Sequence, residues 1–289
     1  MLASRRATRL ARQGHIEQAR LAGERARDWC WYSVGYGLLV YFLALLAYIL
    51  NANGGAVRKV YFGWATLTAW DDAWYSLLKG FWINVQVFVI AEVFVLVWAM
   101  VVAIVRLLPG KACAPIRFVA IAYSDTFRAM PALLVIYIIG FGLSQSGLPL
   151  VGHLSPMQYA ILALTLVYGA YVSEVYRSGI ESIHWSQVAA ARSLGLSYTQ
   201  TLRRVVLPQA VRRVRPPLLN DAIGLQKDTS LINFLGLYDV VLRAKFLANV
   251  KGTLTGYTMA ALLFAALSLP MTRYLDYYIN RDKSRMLVG

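Results

Sequence analysis

Apolar and polar positions along this chain fall into long blocks rather than into a period of two or of three to four. Apolar runs occupy about 31–50, 81–108, 129–143, 157–176, 217–237 and 257–279, with polar or charged stretches between them. A helix needs about 20 apolar residues to cross the hydrocarbon core of a bilayer. The pattern predicts six transmembrane helices in an all-α integral membrane protein. No similarity between its parts is strong enough to suggest an inverted repeat.

Charge sets the orientation. Seven arginines (Arg5, Arg6, Arg9, Arg12, Arg20, Arg25, Arg27) precede the first run, and the second closes on Arg106, Lys111 and Arg117. The loop 144–156 has no Lys or Arg, whereas Arg192, Arg203, Arg204, Arg212, Arg213 and Arg215 crowd the stretch between the fourth and fifth runs. Arg281, Lys283 and Arg285 follow the sixth. Lys and Arg are retained on the cytoplasmic side, so both termini are expected inside and residues 51–80, 144–156 and 239–256 outside. The expected organisation is an Arg-rich cytoplasmic segment (1–30), a first span (31–50), an external loop (51–80), a membrane core (81–280) and a cytoplasmic tail (281–289). About thirty polar residues precede a run long enough to span, so the N-terminus reads as a signal anchor rather than a cleaved signal.

The net charge of +15 would suggest nucleic acid in a soluble protein, but only 15% of residues are charged. Retention of basic loops on one side of a membrane accounts for the excess, and no nucleic-acid partner is expected. Cys30 and Cys113 have no metal-type spacing and read as free cytoplasmic thiols.

The basic stretch 184–208 carries the most specific local signal. Residues Ser186 to Leu194 are Ala-rich and favour a short helix, Gly195 fits its C-terminal cap, and Ser197 with Gln200 forms a capping box for the next. Two short helices hinged at a glycine make a rigid lever that fits into a partner's groove. On physical grounds alone, an ordinary helical hairpin with basic residues facing lipid headgroups is the better explanation of the pattern.

These residues and others resemble permeases of type I ABC importers of the polar amino-acid uptake family (histidine-, glutamine- and arginine-type). The family's "EAARALG" reads here Ala189-Ala190-Ala191-Arg192-Ser193-Leu194-Gly195. Its "VVLPQA" is Val205 to Ala210, including Leu207 and Pro208. Its "PPL-x-N" is Pro216-Pro217-Leu218 with Asn220, and its "KDTSL" is Lys227-Asp228-Thr229-Ser230-Leu231. Upstream, Phe127-Arg128-Ala129-Met130-Pro131 is similar to "FRGTP", and Ala170-Tyr171-Val172-Ser173-Glu174 to "AY-x-AE". The resemblance covers about 77–285. It implies a five-helix permease core plus one extra N-terminal helix, in a bacterial cytoplasmic (inner) membrane. It further implies an ATPase dimer gripping Ser186, Ala189, Ala190, Ala191, Arg192, Gly195, Leu207 and Pro208, a second permease subunit (identical or homologous), an external solute-binding protein and an amino-acid-like substrate. ATP and Mg²⁺ would sit on the ATPase, with no cofactor on this chain. The family's Glu in the first triplet position is Ala189 here, which removes one docking carboxylate.

Polar residues inside apolar runs need a paired or wet environment. Asn220, Gly224 and Lys227 share one stripe of the fifth span, and Asp221 and Asp228 the next. Lys227, Asp228, Thr229 and Ser230 read as a structural polar motif, and Asn220 and Asp221 as candidates for the substrate path. Glu174 either lines that path or snorkels beside Arg177. Glu92 must find a partner on another helix, be protonated or bind a cationic group. His184 and Trp185 read as interface residues. There is no G-x-x-x-x-G-K-[ST] loop, no H-E-x-x-H, no serine elbow and no metal cluster, so the chain is not expected to be an enzyme. The competing reading is a proton-coupled secondary transporter using Glu92, Glu174 and Asp228 as relay carboxylates, a scheme that leaves the basic lever without a task.

Overall fold

The computed structural model describes residues 16–63, 73–149 and 151–288. Arg5, Arg6, Arg9 and Arg12 of the basic N-terminal segment, and Asp71 and Asp72, lie outside the described residues. The chain divides into two compact units, Met1–Gly63 and Trp64–Gly289.

The described part of the first unit holds one helix, α1 (Ile16–Tyr61). Its Tyr32–Ala52 stretch is long and apolar enough to span, and every side chain from Tyr32 to Ile49 is exposed, as a helix bathed in lipid requires. The helix continues through Asn51–Tyr61, so the expected external loop 51–80 is helical at both ends. Asn51 Nδ2 donates back to the Ala47 carbonyl at 2.8 Å, a local bond that lets a polar residue stay helical.

The second unit holds α2 (Ala73–Leu107), α3 (Ala114–Ala129), α4 (Ala132–Gln145), α5 (Pro156–Glu181), α6 (Trp185–Ser193), α7 (Leu207–Asp228), α8 (Val240–Lys251) and α9 (Thr255–Val288). Helices α2, α5 and Thr255–Asn280 of α9 are candidate spans, and α3 with α4 is a pair bent by 110° that counts as one more. The bend has a clear origin. Met130 precedes Pro131 and is pushed into extended backbone, with φ −90° and ψ 140°.

The predicted fifth span, 217–237, is built otherwise than expected. Its helix starts upstream at Leu207, carries Pro216 and Pro217 inside it and stops at Asp228, where a 3₁₀ turn (Thr229–Leu235) takes over. A π turn, Leu202–Val206, precedes it. The wider π turn relieves the clash that Pro208 would make with a preceding carbonyl. With arginines at one end and Lys227 and Asp228 at the other, α7 is too polar to qualify as a span by composition. Four helices, or five with the bent pair, pass that test among the described residues.

The core lies where α2 packs along α5. Val87, Ala91, Val95 and Ala99 recur every fourth residue on α2 and meet Ala160, Ala163, Leu164 and Val167 of α5. Lipid tails are as apolar as these side chains, so small residues drive association by letting the backbones approach closely. A second cluster ties the start of α2 (Ala73, Leu77) to α8 (Val240, Ala244) and α9 (Met259, Ala260). Gly80 makes that approach possible: a β-carbon there would lie 2.7 Å from the Val240 backbone nitrogen.

One turn further on, Asn84 is buried and clamps the chain after α7. Its Nδ2 donates to the Thr229 carbonyl and to Asp239 Oδ2, each at 3.0 Å. Its Oδ1 accepts from the Val240 amide at 3.2 Å. Asn84→Leu should leave these groups buried without partners, at about 1–3 kcal/mol for each one that water cannot reach. The expected result is a clear fall in the melting temperature of the detergent-purified chain, with a similar fall for Gly80→Val. Parental melting temperatures in both variants would contradict this packing.

Candidate functional site

Two regions answer to the residues singled out in the sequence: a helical projection between α5 and α7, and a set of polar groups along α7. In the first, α6 begins at His184, whose Nδ1 accepts from the Ser186 amide at 3.3 Å. It ends in a paired cap: Gly195 N donates to the Arg192 carbonyl at 3.0 Å and Leu196 N to the Ala191 carbonyl at 3.2 Å. This pair of hydrogen bonds requires a left-handed residue, and Gly195 supplies it at φ +83°. Ser197 N donates to Gln200 Oε1 at 2.9 Å and Gln200 N to Ser197 Oγ at 3.3 Å, completing the capping box.

The projection is fixed at its base. Ile183, Val206 and Ala210 form a small core with Ile180, Val188 and Leu202 around them. Arg213 Nη1 donates to the Ser182 carbonyl at 2.5 Å. Gly179 lets α5 touch α7, since a β-carbon there would overlap Val214 Cγ1 at 2.1 Å. Ala191 faces inward, while Ser186, Ala189, Ala190, Arg192, Gly195, Leu207 and Pro208 are exposed. Apolar side chains stand out with them, Leu194 at 84% and Trp185 at 73% exposure. Such a surface suits a docking partner. Trp185 is among the interface residues expected from the sequence. Leu194 was missed as a surface contact, because exposure of a large side chain is not visible in periodicity.

Of the polar motif, Asp228 Oδ2 accepts from the Tyr168 hydroxyl at 2.8 Å, and Thr229 Oγ1 donates to the Gln226 carbonyl at 2.7 Å. The Ser230 carbonyl accepts from Asn233 Nδ2 at 2.5 Å, and Lys227 is exposed. Gln226, buried on the same turn, accepts from Ser268 of α9 at 2.6 Å. Asn84, Tyr168, Gln226 and Asp239 were missed in the sequence; lone amides inside apolar runs were the available signal for Asn84 and Gln226.

The substrate-path candidates separate. Glu174 lies among three arginines: Arg106 Nη1 at 2.9 Å, Arg128 Nη1 at 3.4 Å and Arg177 through a tight ion pair. Arg177 also pairs with Glu181. One carboxylate thus clasps α2, α3 and α5. Asn220 is exposed on α7. Asp221 Oδ2 is buried without a hydrogen-bond partner among the described residues. Glu92 borders a cavity of about 360 Å³ between α2, α7 and α9, shared with Arg215, Tyr274 and Tyr278.

Removing the Glu174 charge should leave the Arg106, Arg128 and Arg177 guanidiniums facing one another uncompensated. Glu174→Gln is expected to lower the melting temperature, more at low than at high salt because screening weakens the repulsion. A variant as stable as the parent at both ionic strengths would show that the clasp contributes nothing.

Residues 79–283 match the family described as binding-protein-dependent transport system inner membrane component. The chain is 32% identical over 214 residues to the glutamate transport system permease protein GluC of Corynebacterium glutamicum, covering 71% of this chain and 92% of that protein. It is 33% identical, with the same coverage, to the glutamate/aspartate import permease protein GltK of Escherichia coli O157:H7. The solved structure of an amino acid ABC transporter with histidines superimposes with a TM-score of 0.65 at 25% identity, covering 71% of this chain and 94% of that one. These relatives lend nothing to the proton-coupled alternative. Helix packing, matched residues and shared fold agree: the chain belongs to the binding-protein-dependent transport system inner membrane components and is the multi-pass permease of an ABC importer.

Proposed function

We propose that this permease works with a separate ATPase dimer that docks on 184–208 and drives import of a polar amino acid or related small polar compound. The observation that carries the reading is the α6 projection: a short helix locked by a glycine cap, anchored to α5 and α7, and presenting Trp185 and Leu194 outward. Such an element transmits a push as a rigid body to the two helices at its base. Relatives named as glutamate, glutamine and arginine permeases support the substrate class. No Walker-type phosphate loop occurs in the sequence, so ATP and Mg²⁺ belong to the partner.

In this scheme a second permease subunit completes the pathway and an external solute-binding protein delivers substrate. ATP-driven closure of the ATPases pushes the levers and opens the pathway outward, and hydrolysis resets it. Both termini and the lever face the cytoplasm of a bacterial inner membrane, α7 with the broken segment 229–237 makes the fourth of the core's five crossings, and α1 adds a sixth. Ala189 costs the lever one carboxylate contact, while its helix is retained because Ala is the strongest helix former.

Gly195→Val should disrupt the cap, since a β-branched residue is strained at φ +83°. Reconstituted with its ATPase and binding protein, the variant should lose most ATP-dependent uptake. Full uptake with full ATPase association would refute the lever. Orientation is testable in intact cells after Cys30 and Cys113 are replaced by Ser. A cysteine introduced at Gly147 should react with an impermeant thiol reagent and one at Ser197 should not; the reverse pattern would overturn the topology.

A further inference from the structure

The end of α7 nearest the lever presents more arginine than the fold uses. From Ser182 to Asn220 there are six arginines and no Asp or Glu. Arg212 and Arg215 lie three residues apart on α7, neighbours on its surface, and both are exposed. Arg215 donates to Tyr278 Oη of α9, and its guanidinium lies 5.9 Å from the centre of that ring. The other N–H groups of Arg215, and all five of Arg212, have no acceptor among the described residues. Arg215 stands just before the apolar run that begins at Pro217, and Tyr278 stands at the end of the run 257–279. The pair therefore marks one edge of the hydrocarbon. Tyr274 and Tyr277 are exposed on α9 beside it, as in the aromatic belt of a membrane interface.

An apolar groove leads from this edge into the membrane. Arg215, Leu218, Leu219 and Ala222 line it from α7 at i, i+3, i+4 and i+7, one helical face. Leu96 of α2 and Tyr274 and Tyr278 of α9 form its other walls. The groove is open rather than enclosed, and Glu92 lies deepest in it, fifteen residues or about 22 Å of helix before α2 ends at Leu107. A phospholipid carries an anionic phosphate and an apolar chain in the order in which the groove presents Arg215 and the leucines. Guanidinium forks pair with phosphate oxygens through two parallel bonds. We propose that this groove holds an anionic phospholipid of the cytoplasmic leaflet, its phosphate on Arg215 with Arg212 alongside, and one acyl chain along Leu218, Leu219 and Ala222. A phosphate on a soluble molecule shares the headgroup chemistry but leaves the leucines bare, so the lipid is the occupant. Only the choice of leaflet rests on the orientation proposed above; binding itself does not depend on the permease reading.

The full-length chain, with its co-purifying subunits, is stripped of lipid in a mild detergent and titrated with radiolabelled phosphatidylglycerol. Saturable retention through gel filtration is expected. Unlabelled phosphatidylglycerol should displace the label, and phosphatidylcholine, whose headgroup has no net charge, should not. Glycerol 3-phosphate, a phosphate without chains, should also leave it in place. Combining Arg212→Gln with Arg215→Gln should weaken retention by roughly tenfold or more, the usual loss when a charged hydrogen-bond partner is removed. Leu219→Trp, which fills the groove but keeps both arginines, should weaken it as well. Should a variant fail to elute as the parent does, the competition on the parent chain decides the matter alone. Equal displacement by phosphatidylcholine, displacement by glycerol 3-phosphate, or retention unchanged in either folded variant would overturn the proposal. A parent chain that retains no phosphatidylglycerol would overturn it too, leaving the groove to a second subunit or a soluble ligand. ATPase co-purification, scored on the same sample, tests the permease reading separately: an ATPase bound to a chain without lipid overturns the lipid assignment alone.

Discussion

The amide of Asn84 is the interaction on which the membrane core depends. Helix α7 ends at Asp228, inside the bundle, and the chain must turn through Thr229–Leu235 before α8 begins. A bilayer interior supplies no water, so each backbone group released by such a break needs a protein partner. Asn84 meets two of these needs at once, holding the Thr229 carbonyl and the Val240 amide, and it donates to the Asp239 carboxylate as well. Asp239 in turn caps α8 by accepting from the Leu242 amide at 2.9 Å. A single side chain of α2 thereby fixes where α7 stops and where α8 starts.

That constraint lies at one end of α7 and the lever at the other. Between them the helix carries Asp221 and Arg215, and it is bordered by Tyr168 of α5, Glu92 of α2 and Tyr278 of α9. A displacement at α6 therefore reaches helices that are pinned at their far end by hydrogen bonds and near the base by Glu174 and its three arginines. In a bundle with little hydrophobic drive between helices, such polar contacts determine which parts move together. The Gly179–Val214 contact adds a tight steric coupling between α5 and α7 close to the lever.

Much of this was legible in the residues. Apolar runs had to be long to span a bilayer, so α1, α2, α5 and α9 could be read directly. The cap at Gly195 and the Ser197–Gln200 box were legible because capping is local chemistry. The partners of Glu174 were not: Arg106 and Arg128 lie 68 and 46 positions away in sequence, and only packing of α2 and α3 on α5 brings them together. The same holds for Asn84, whose partners lie at least 145 positions away. Helix α7 starts ten residues before the apolar run that marked it in the sequence: a π turn precedes it and Pro208 sits in its first turn, where a missing N–H costs nothing, and the helix runs on through Pro216 and Pro217.

The central claim is that the α6 projection is the docking point for an ATPase. It is tested most directly by site-directed cross-linking in isolated membranes, with Leu194→Cys in a chain whose Cys30 and Cys113 are replaced by Ser. A short bifunctional thiol reagent should give an adduct containing this chain and the ATPase subunit, and a cysteine placed at the buried Ala163 should not. A Leu194→Cys chain whose new thiol reacts fully with a monofunctional reagent from the cytoplasmic side, yet gives no adduct with the ATPase, would contradict the account.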